Sequence, residues 1–365
     1  MKYCAACKTG FPDHAETCPT HGGFLSEIVD LKPGMSIRNT YRIVRKLGQG
    51  GFGAVYLAEQ TLMDELRAVK FLSGQWSRDE AFTARFRREV RTLRQVRHPN
   101  VIDCGDLERA EDDSLFFSME FVDGPDLRDF MCDVERPLDV AEALELTRGI
   151  AKGLGAAHAK GMVHRDIKPE NILLARDQRG IVPKIADFGI VATRESSTTH
   201  TRAGGSLLTM AYAAPEQWRG VRSAELDGRT DLYALGGVLF EMLTGETVFR
   251  AESYEGWAMQ HLNTAPRLPS SVRPDLANWR GLDALVMRLL AKERDGRPKD
   301  VEEVVRLLDE VRYVAPRAAR RTVIEEPTVR AEKEVETPNE KPSVSTPPKK
   351  ISLRPSIRSG LFGGS

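Results

Sequence analysis

Eight residues near the middle of the chain, His164-Arg165-Asp166-Ile167-Lys168-Pro169-Glu170-Asn171, narrow the choice of fold more than any other feature. They place a carboxylate, an ammonium and an amide within reach of one reacting centre. Asp166 is positioned to accept a hydroxyl proton, Lys168 to neutralise a transferring phosphoryl group, and Asn171 to ligate Mg²⁺. A polar surface loop after a helix is the bland alternative, and the complete octet is too specific for it. Asp187-Phe188-Gly189 follows an apolar strand, Pro183 to Ala186, and supplies a second metal-binding carboxylate. The tripeptide is common by itself; its distance behind the octet gives it meaning.

Upstream, Gly48-x-Gly50-x-x-Gly53-x-Val55 lies between two predicted strands. Glycines let backbone N–H groups approach phosphate oxygens without Cβ interference. The pattern alone also suits a tight turn or a dinucleotide loop. A dinucleotide loop needs a helix directly after the glycines, and Ala54 to Ala58 reads as a strand, which excludes it. Lys70 follows on another strand, Leu66 to Leu72. Such a lysine is usually a snorkelling surface residue. Glu89, in the middle of the next predicted helix, changes that reading, because it could pair with Lys70 and hold the ammonium against a phosphate.

Period-two runs (Tyr41 to Leu47, Ala54 to Ala58, Leu66 to Leu72, Leu115 to Val122) dominate the first part of the middle region. Helical periodicity follows. Ser77-x-x-Glu80 predicts a capped helix carrying Phe82, Phe86, Val90, Leu93 and Val96 on one face, and Asp139-x-x-Glu142 caps another that Gly161 closes. An α+β fold results, with a small β-rich lobe before a larger α-rich one. Residues 1–30 have too few apolar side chains for a core, 31–40 read as a linker, and 41–313 form the main domain. From 314 to 365 Pro, Lys, Arg, Glu, Ser and Thr dominate, and the tail is expected to be disordered.

With 53 basic and 53 acidic residues, the net charge is zero, which argues against a dedicated nucleic-acid binder. The most apolar stretch, Leu232 to Leu243, is too short to cross a bilayer and reads as a buried helix. Met1-Lys2-Tyr3-Cys4 shows no secretory h-region, so a cytoplasmic location is expected, although the chain could be cut from a longer, membrane-anchored parent.

Taken together, these residues resemble the protein kinase family, specifically the eukaryotic-like Ser/Thr kinases of bacteria, over about residues 41 to 311. The resemblance implies a bilobal fold with ATP and Mg²⁺ (or Mn²⁺) in the cleft between lobes. It assigns phosphoryl transfer to Asp166, Lys168, Lys70 and Glu89, and Mg²⁺ to Asn171 and Asp187. ATP would meet Leu47, Gly48, Gly50, Gly53 and Lys70. Val55, Ala68 and Leu173 would sandwich the adenine, Met119 would stand as gatekeeper, Glu120 to Val122 would form the hinge, and Asp126 would contact the ribose. Ala214-Pro215-Glu216 would end the activation segment with Arg297 as the partner of Glu216. Asp231 would brace the catalytic loop, and Leu93, His164 and Phe188 would belong to an apolar spine. Lys168, two residues after Asp166, is the Ser/Thr-type signature. Thr209 matches a threonine contacting Asp166 and Lys168, but Leu208 stands where the family usually has Gly.

Rival readings are a pseudokinase scaffold, whose usual mark is a missing Lys, Asp or Asn, and a small-molecule kinase, which usually lacks the Ala-Pro-Glu segment and its arginine. Both marks go the other way here. Arg165 beside Asp166 marks the type in which a basic pocket is completed by a phosphate on the activation segment. Ser196, Ser197, Thr198, Thr199, Thr201 and Ser206 are candidate acceptors, through trans-autophosphorylation in a transient homodimer. A flexible polar loop is the plain alternative. Thr322 and Thr328 are weaker candidates, as docking sites for phosphothreonine readers; the other partners are proteins phosphorylated on Ser or Thr.

Three of the five cysteines fall in the first twenty residues. Cys4-x-x-Cys7 and Cys18-Pro-Thr-His21-Gly22 are two knuckles of zinc-ligand spacing, and three thiolates with one imidazole complete a tetrahedral structural site. A thioredoxin-like motif would need a βαβ context that is absent, and an unstructured Cys-rich leader remains the alternative. His14 competes with His21, at poorer spacing. The segment resembles a minimal zinc ribbon.

Overall fold

The computed structural model describes residues 2–4, 9–11, 15–27, 31–50, 53–72, 80–110, 114–134, 136–178, 180–188 and 210–315. Cys7, Ser77, the candidate acceptors Ser196 to Ser206, Thr209, and the tail with Thr322 and Thr328 lie outside them, and Cys4 is described by its backbone alone.

At the amino terminus Lys2–Cys4 (β1) pairs antiparallel with Thr9–Phe11 (β2) on one side and Ser26–Glu27 (β3) on the other. The main sheet follows. Ser36–Ile37 (β4), Tyr41–Gly50 (β5), Gly53–Gln60 (β6), Glu65–Leu72 (β7), Cys104–Arg109 (β8) and Leu115–Glu120 (β9) lie in the order β4-β5-β6-β7-β9-β8, all antiparallel. The glycine-rich stretch is the tip of the β5–β6 hairpin, with Gly48 opposite Val55 and Gly50 opposite Gly53. Gly53 has φ +150, and a Cβ there would meet the Phe71 carbonyl oxygen at 1.7 Å, so only glycine fits.

Alternation of side chains gives this sheet two apolar faces. One carries Tyr56, Val69, Phe71 and Phe116 in a cluster with Tyr41 and Ile43; the other, with Ala68, Leu72 and Phe117, packs against helix Glu80–Leu93 (α1). Phe82, Phe86, Val90 and Leu93 are buried, as their helical spacing predicts, and Phe86 meets Phe117 at 5.8 Å between ring centres. Residues 31–40 are not a linker. β4 is the sixth strand, Ile43 N–H donates to Met35 O at 2.8 Å, and Leu31 packs on the outer apolar cluster. β8 was not legible either: Cys104-Gly-Asp-Leu-Glu-Arg109 is too polar to show strand alternation and is held by its pairing with β9.

The second lobe contains helices Leu127–Asp133 (α2), Val140–His158 (α3), Pro215–Trp218 (α4), Gly228–Thr244 (α5), Tyr254–Asn263 (α6), Pro269–Val272 (α7), Leu282–Leu289 (α8) and Val301–Glu310 (α9). Hairpin Ile172–Asp177 (β10) and Gly180–Ile185 (β11) lies beside the cleft, and Trp279–Arg280 (β12) pairs with Arg312–Tyr313 (β13). α5 is buried along its length from Thr230 to Thr244, which is why its sequence is nearly continuous in apolar residues. Asp139 is the N-cap residue of α3, but its side chain makes no capping bond; it faces Arg136 at 3.5 Å instead. No helix among the described residues is long and apolar enough to cross a membrane.

Candidate active site

Asp231, wholly buried on α5, organises the catalytic loop. Its Oδ1 accepts from Arg165 N–H at 2.7 Å, and its Oδ2 accepts from His164 N–H and lies against His158 Nε2, both at 2.8 Å. Two adjacent amides on one carboxylate force a sharp turn, and Arg165 takes φ +68 to make it. The next amide, Asp166 N–H, donates to His164 Nδ1 at 3.2 Å, and His164 Nε2 donates to Ala186 O at 2.9 Å. This fixes the tautomer with its hydrogen on Nε2. The catalytic loop is thereby tied to the strand that leads into Asp187.

The predicted chemical groups converge on Asp166. Lys168 Nζ donates to Asp166 Oδ2 at 2.9 Å, and Asn171 Nδ2 donates to Asp166 O at 2.7 Å and to Oδ2 at 3.1 Å. With its nitrogen committed to Asp166, Asn171 keeps its carbonyl oxygen as an acceptor for a cation. Phe188 is buried against the His164 ring, 4.7 Å between centres, in the same core as Leu93. Phe188 thus links the His164 ring to the apolar core that also contains Leu93.

Lys70 and Glu89 depart from expectation. Lys70 Nζ donates to Asp187 Oδ1 at 2.6 Å, and no ion pair joins it to Glu89. The Lys70 ammonium holds the Asp187 carboxyl below its usual value. Glu89 faces Arg165 and Arg85 instead. Its Oε2 is buried with no hydrogen-bond partner, and desolvation pushes its pKa up to about 7 against the pull of both arginines. Arg165 Nε is likewise buried and unpartnered.

Of the residues expected around the adenine, Ala68, Met119 and Val122 are buried, and Val55 and Leu173 are half-buried against the core that holds Ala68 and Met119. Leu47 is exposed. Glu120 N–H donates to Asp103 O at 2.8 Å, and its carboxylate pairs with Lys184 at 2.9 Å, fixing the segment between lobes. Asp126 is the N-cap of α2, accepting from Asp129 N–H at 2.8 Å; burial raises its pKa.

Below the catalytic loop, Glu216 and Arg297 form a buried bidentate pair, both bonds 2.8 Å, with Thr230 Oγ1 also donating to Glu216 at 2.8 Å. A second network was not read from the sequence. Arg128 on α2 donates to Glu170 Oε1 at 3.1 Å and also to Glu241 and Tyr212, whose hydroxyl donates to Glu241. These residues lie far apart in sequence, so spacing could not signal them.

At the amino terminus Cys18 is buried and its Sγ lies 3.6 Å from His21 Nδ1. Gly22 N–H donates to Cys18 O and Cys18 N–H to Gly23 O, both at 2.8 Å, which closes a tight hairpin. Among the described residues no set of three or more metal-ligating side chains is gathered; Cys4 and Cys7 contribute no described side chain.

The sequence profile of the protein kinase domain matches residues 41–307. The chain belongs to the protein kinase domain family. Serine/threonine-protein kinase pkn3 of Myxococcus xanthus is 36% identical over 274 residues, covering 74% of this chain and 49% of that protein. PrkC of Bacillus subtilis is 37% identical over 271 residues, covering 74% and 40%. The chain thus spans half or less of the length of these kinases. Among solved structures, the Mycobacterium tuberculosis PknI kinase domain superposes with a TM-score of 0.60 at 29% identity, over 77% of this chain and 99% of that one. The bilobal kinase fold accounts for residues 41–307; the amino-terminal hairpins precede the matched region.

Proposed function

We propose that the chain is a Ser/Thr protein kinase that transfers the γ-phosphoryl group of ATP to serine and threonine hydroxyls of proteins, itself included. The observation that carries this reading is the convergence of Lys168 and Asn171 on the carboxylate of Asp166, within a loop braced by Asp231. The curated relatives are Ser/Thr kinases by name.

Asp166 orients the acceptor hydroxyl and takes its proton, while Lys168, held against Oδ2, balances charge at the transferring group. Asn171, through its free carbonyl oxygen, and Asp187 would hold Mg²⁺ or Mn²⁺, which neutralises phosphate oxygens when bound. Val55, Ala68, Met119 and Leu173 exclude water around the adenine, Glu120 to Val122 receive its edge, and Asp126 meets the ribose. Gly48, Gly50 and Gly53 bring backbone N–H groups to the phosphates. In the nucleotide-bound protein Lys70 leaves Asp187 for the phosphates and gains Glu89. Incubation with ATP and Mg²⁺, followed by phosphosite mapping, tests the reading. Phosphate on Ser and Thr, first within Ser196 to Thr201 and faster at higher protein concentration, supports trans-autophosphorylation in a transient homodimer. Phosphate on no residue of the chain or of a generic protein substrate overturns it. Thr322 and Thr328 are read as sites for phosphothreonine readers, and the chain as cytoplasmic.

Cys4, Cys7, Cys18 and His21 are read as a structural zinc site. The 3.6 Å from Cys18 Sγ to His21 Nδ1 matches the edge of a tetrahedral site, about 3.5 Å for Zn–S near 2.3 Å and Zn–N near 2.0 Å. The register also supports it. Lys2 opposite Glu27 and Tyr3 opposite Ser26 run toward Cys4 and Leu25, and the Cys18–His21 hairpin, closed by the Thr17–Phe24 bridge, lies just beyond Leu25. The second knuckle therefore sits at the end of the sheet where Cys4 ends β1.

A further inference from the structure

Arg165 stands one residue before the carboxylate proposed as the base, and its backbone is left-handed, with φ +68. A non-glycine residue keeps that conformation only where its surroundings fix it. Its N–H donates to Asp231 Oδ1 at 2.7 Å. Its carbonyl oxygen has a separate partner: Gln217 Nε2, on α4 and 52 residues further along the chain, donates to it at 2.9 Å.

The peptide between Arg165 and Asp166 is therefore held at both ends. Its C=O accepts from Gln217, and its N–H donates to His164 Nδ1 at 3.2 Å. A peptide unit is planar, so these two bonds fix the plane from which the Asp166 side chain departs. Lys168 and Asn171 then hold the carboxylate itself, at 2.9 and 3.1 Å from Oδ2.

Gln217 makes a second bond. Its Oε1 accepts from the N–H of Ala214, the N-cap residue of α4, at 2.8 Å. A donor on one side and a carbonyl on the other leave the amide a single orientation. The bond to Ala214 is helix capping, for which glutamate at this position serves as well as glutamine. The bond to Arg165 is different, because an ionised glutamate has no hydrogen to donate to a carbonyl.

The neighbours of Gln217 give this donor a rigid mount. Glu216 is locked to Arg297 by two bonds of 2.8 Å. Trp218 donates from Nε1 to Ala213 O at 3.2 Å and packs on Tyr254 and His261 of α6, with ring centres 5.1 and 5.8 Å away. Three consecutive side chains thus bind three different parts of the second lobe, and the middle one reaches the catalytic loop.

We propose that Gln217 is a positioning residue for phosphoryl transfer: its amide holds the Arg165 carbonyl and so sets where Asp166 presents its carboxylate to the acceptor hydroxyl. The inference rests on the kinase reading above. Transfer of this kind depends on positioning and electrostatics far more than on covalent chemistry from the protein. A misplacement of about 1 Å can cost about a hundred-fold in rate. Neither bond of the Gln217 amide involves a residue proposed to meet ATP, so the effect falls on kcat rather than on nucleotide binding.

The test compares the full chain with its Gln217→Glu and Gln217→Met variants in steady-state transfer from ATP to myelin basic protein, with melting temperatures measured alongside. Gln217→Glu keeps the acceptor for Ala214 N–H and loses the donor to Arg165 O. It should melt as wild type does and keep its KM for ATP within about two-fold, while kcat falls by about ten-fold or more. Gln217→Met is uncharged and of similar length, and the same fall in kcat there removes the new negative charge as the cause. Wild-type kcat in either variant overturns the inference. A fall in kcat of Gln217→Glu that comes with a lower melting temperature or a raised KM for ATP also overturns it, since Gln217 would then act only on the fold. Gln217→Glu decides alone should the methionine variant fail to fold. A wild-type protein that transfers no phosphate overturns the kinase reading and this inference with it.

Discussion

Lys70 Nζ and Asp187 Oδ1 are 2.6 Å apart, so the lysine proposed to bind phosphate and the carboxylate proposed to bind metal neutralise each other. Glu89, proposed as the partner of that lysine in the nucleotide-bound protein, lies toward Arg165 and Arg85 with one carboxylate oxygen buried and unsatisfied. Under the proposed function Lys70 exchanges Asp187 for the phosphates and Glu89 when nucleotide binds. Lys70→Met should impair transfer by removing the phosphate clamp, since under the proposed function Asp187 gives up Lys70 when nucleotide binds. Comparing ATP affinity and turnover of this variant with wild type checks the point: both fall, and unchanged turnover at saturating ATP would contradict it.

Glu89 gives a pH signature. An acid raised from 4.5 to about 7 in the folded protein binds a proton more tightly there than in the unfolded chain. Its contribution to stability is full below about pH 4.5, falls as pH rises through the interval, and is gone above about 7. Glu89→Gln removes that loss. The variant should melt higher relative to wild type at pH 8 than at pH 5, while its phosphoryl transfer falls because Lys70 has no carboxylate to move to. A difference in melting temperature independent of pH would show that Glu89 is ionised throughout.

The Glu216–Arg297 pair predicts a large structural cost. Arg297 is fully buried and donates to Glu216 and also to the carbonyls of Arg229, Ala291 and Lys292. Removing one member of such a pair strands the other, at about 3–5 kcal/mol. Arg297→Ala should show that loss in urea melts. Burial opposes ionisation of Glu216, but hydrogen bonds from Arg297 win and lower its pKa below 4.5. The pair's contribution is therefore present above pH 4.5 and is lost as pH falls through the folded value. The difference between wild type and Arg297→Ala should shrink in that acid range.

Arg128 ties α2 to Glu170 of the catalytic loop and to Tyr212 and Glu241. None of these bonds involves a residue proposed to meet ATP. Arg128→Ala should lower kcat/KM for a protein substrate by about ten-fold or more, since the acceptor side of the loop loses a charge-assisted brace, while ATP affinity stays within about two-fold. Equal losses for both substrates would place Arg128 in nucleotide binding instead.

Much of the fold was legible because its signals are local. The octet His164–Asn171 is contiguous, the glycine pattern fits one hairpin, and Phe82, Phe86, Val90 and Leu93 share one helix face. What spacing could not show was which of several charged groups would meet. Lys70 meets Asp187, more than a hundred residues away in sequence, and Glu89 lies toward Arg165 and Arg85. The Arg128 network joins four separated segments, and β8 owes its form to its neighbour rather than to alternation. Residues 31–40 looked like a linker because a two-residue strand and one packed leucine, Leu31, leave little pattern.

Asp166 carries the central claim, and one comparison tests it most directly: transfer of radiolabelled γ-phosphate from ATP to serine and threonine by wild type and by Asp166→Asn, with ATP affinity measured in parallel. Under the proposed function Asp166 orients the hydroxyl rather than the nucleotide, so the variant should keep its ATP affinity within about two-fold and lose at least a hundred-fold in transfer rate. Wild-type protein that labels serine and threonine, beside a variant that binds ATP and labels almost nothing, is the predicted result. A variant that retains a tenth or more of the wild-type rate would contradict the account.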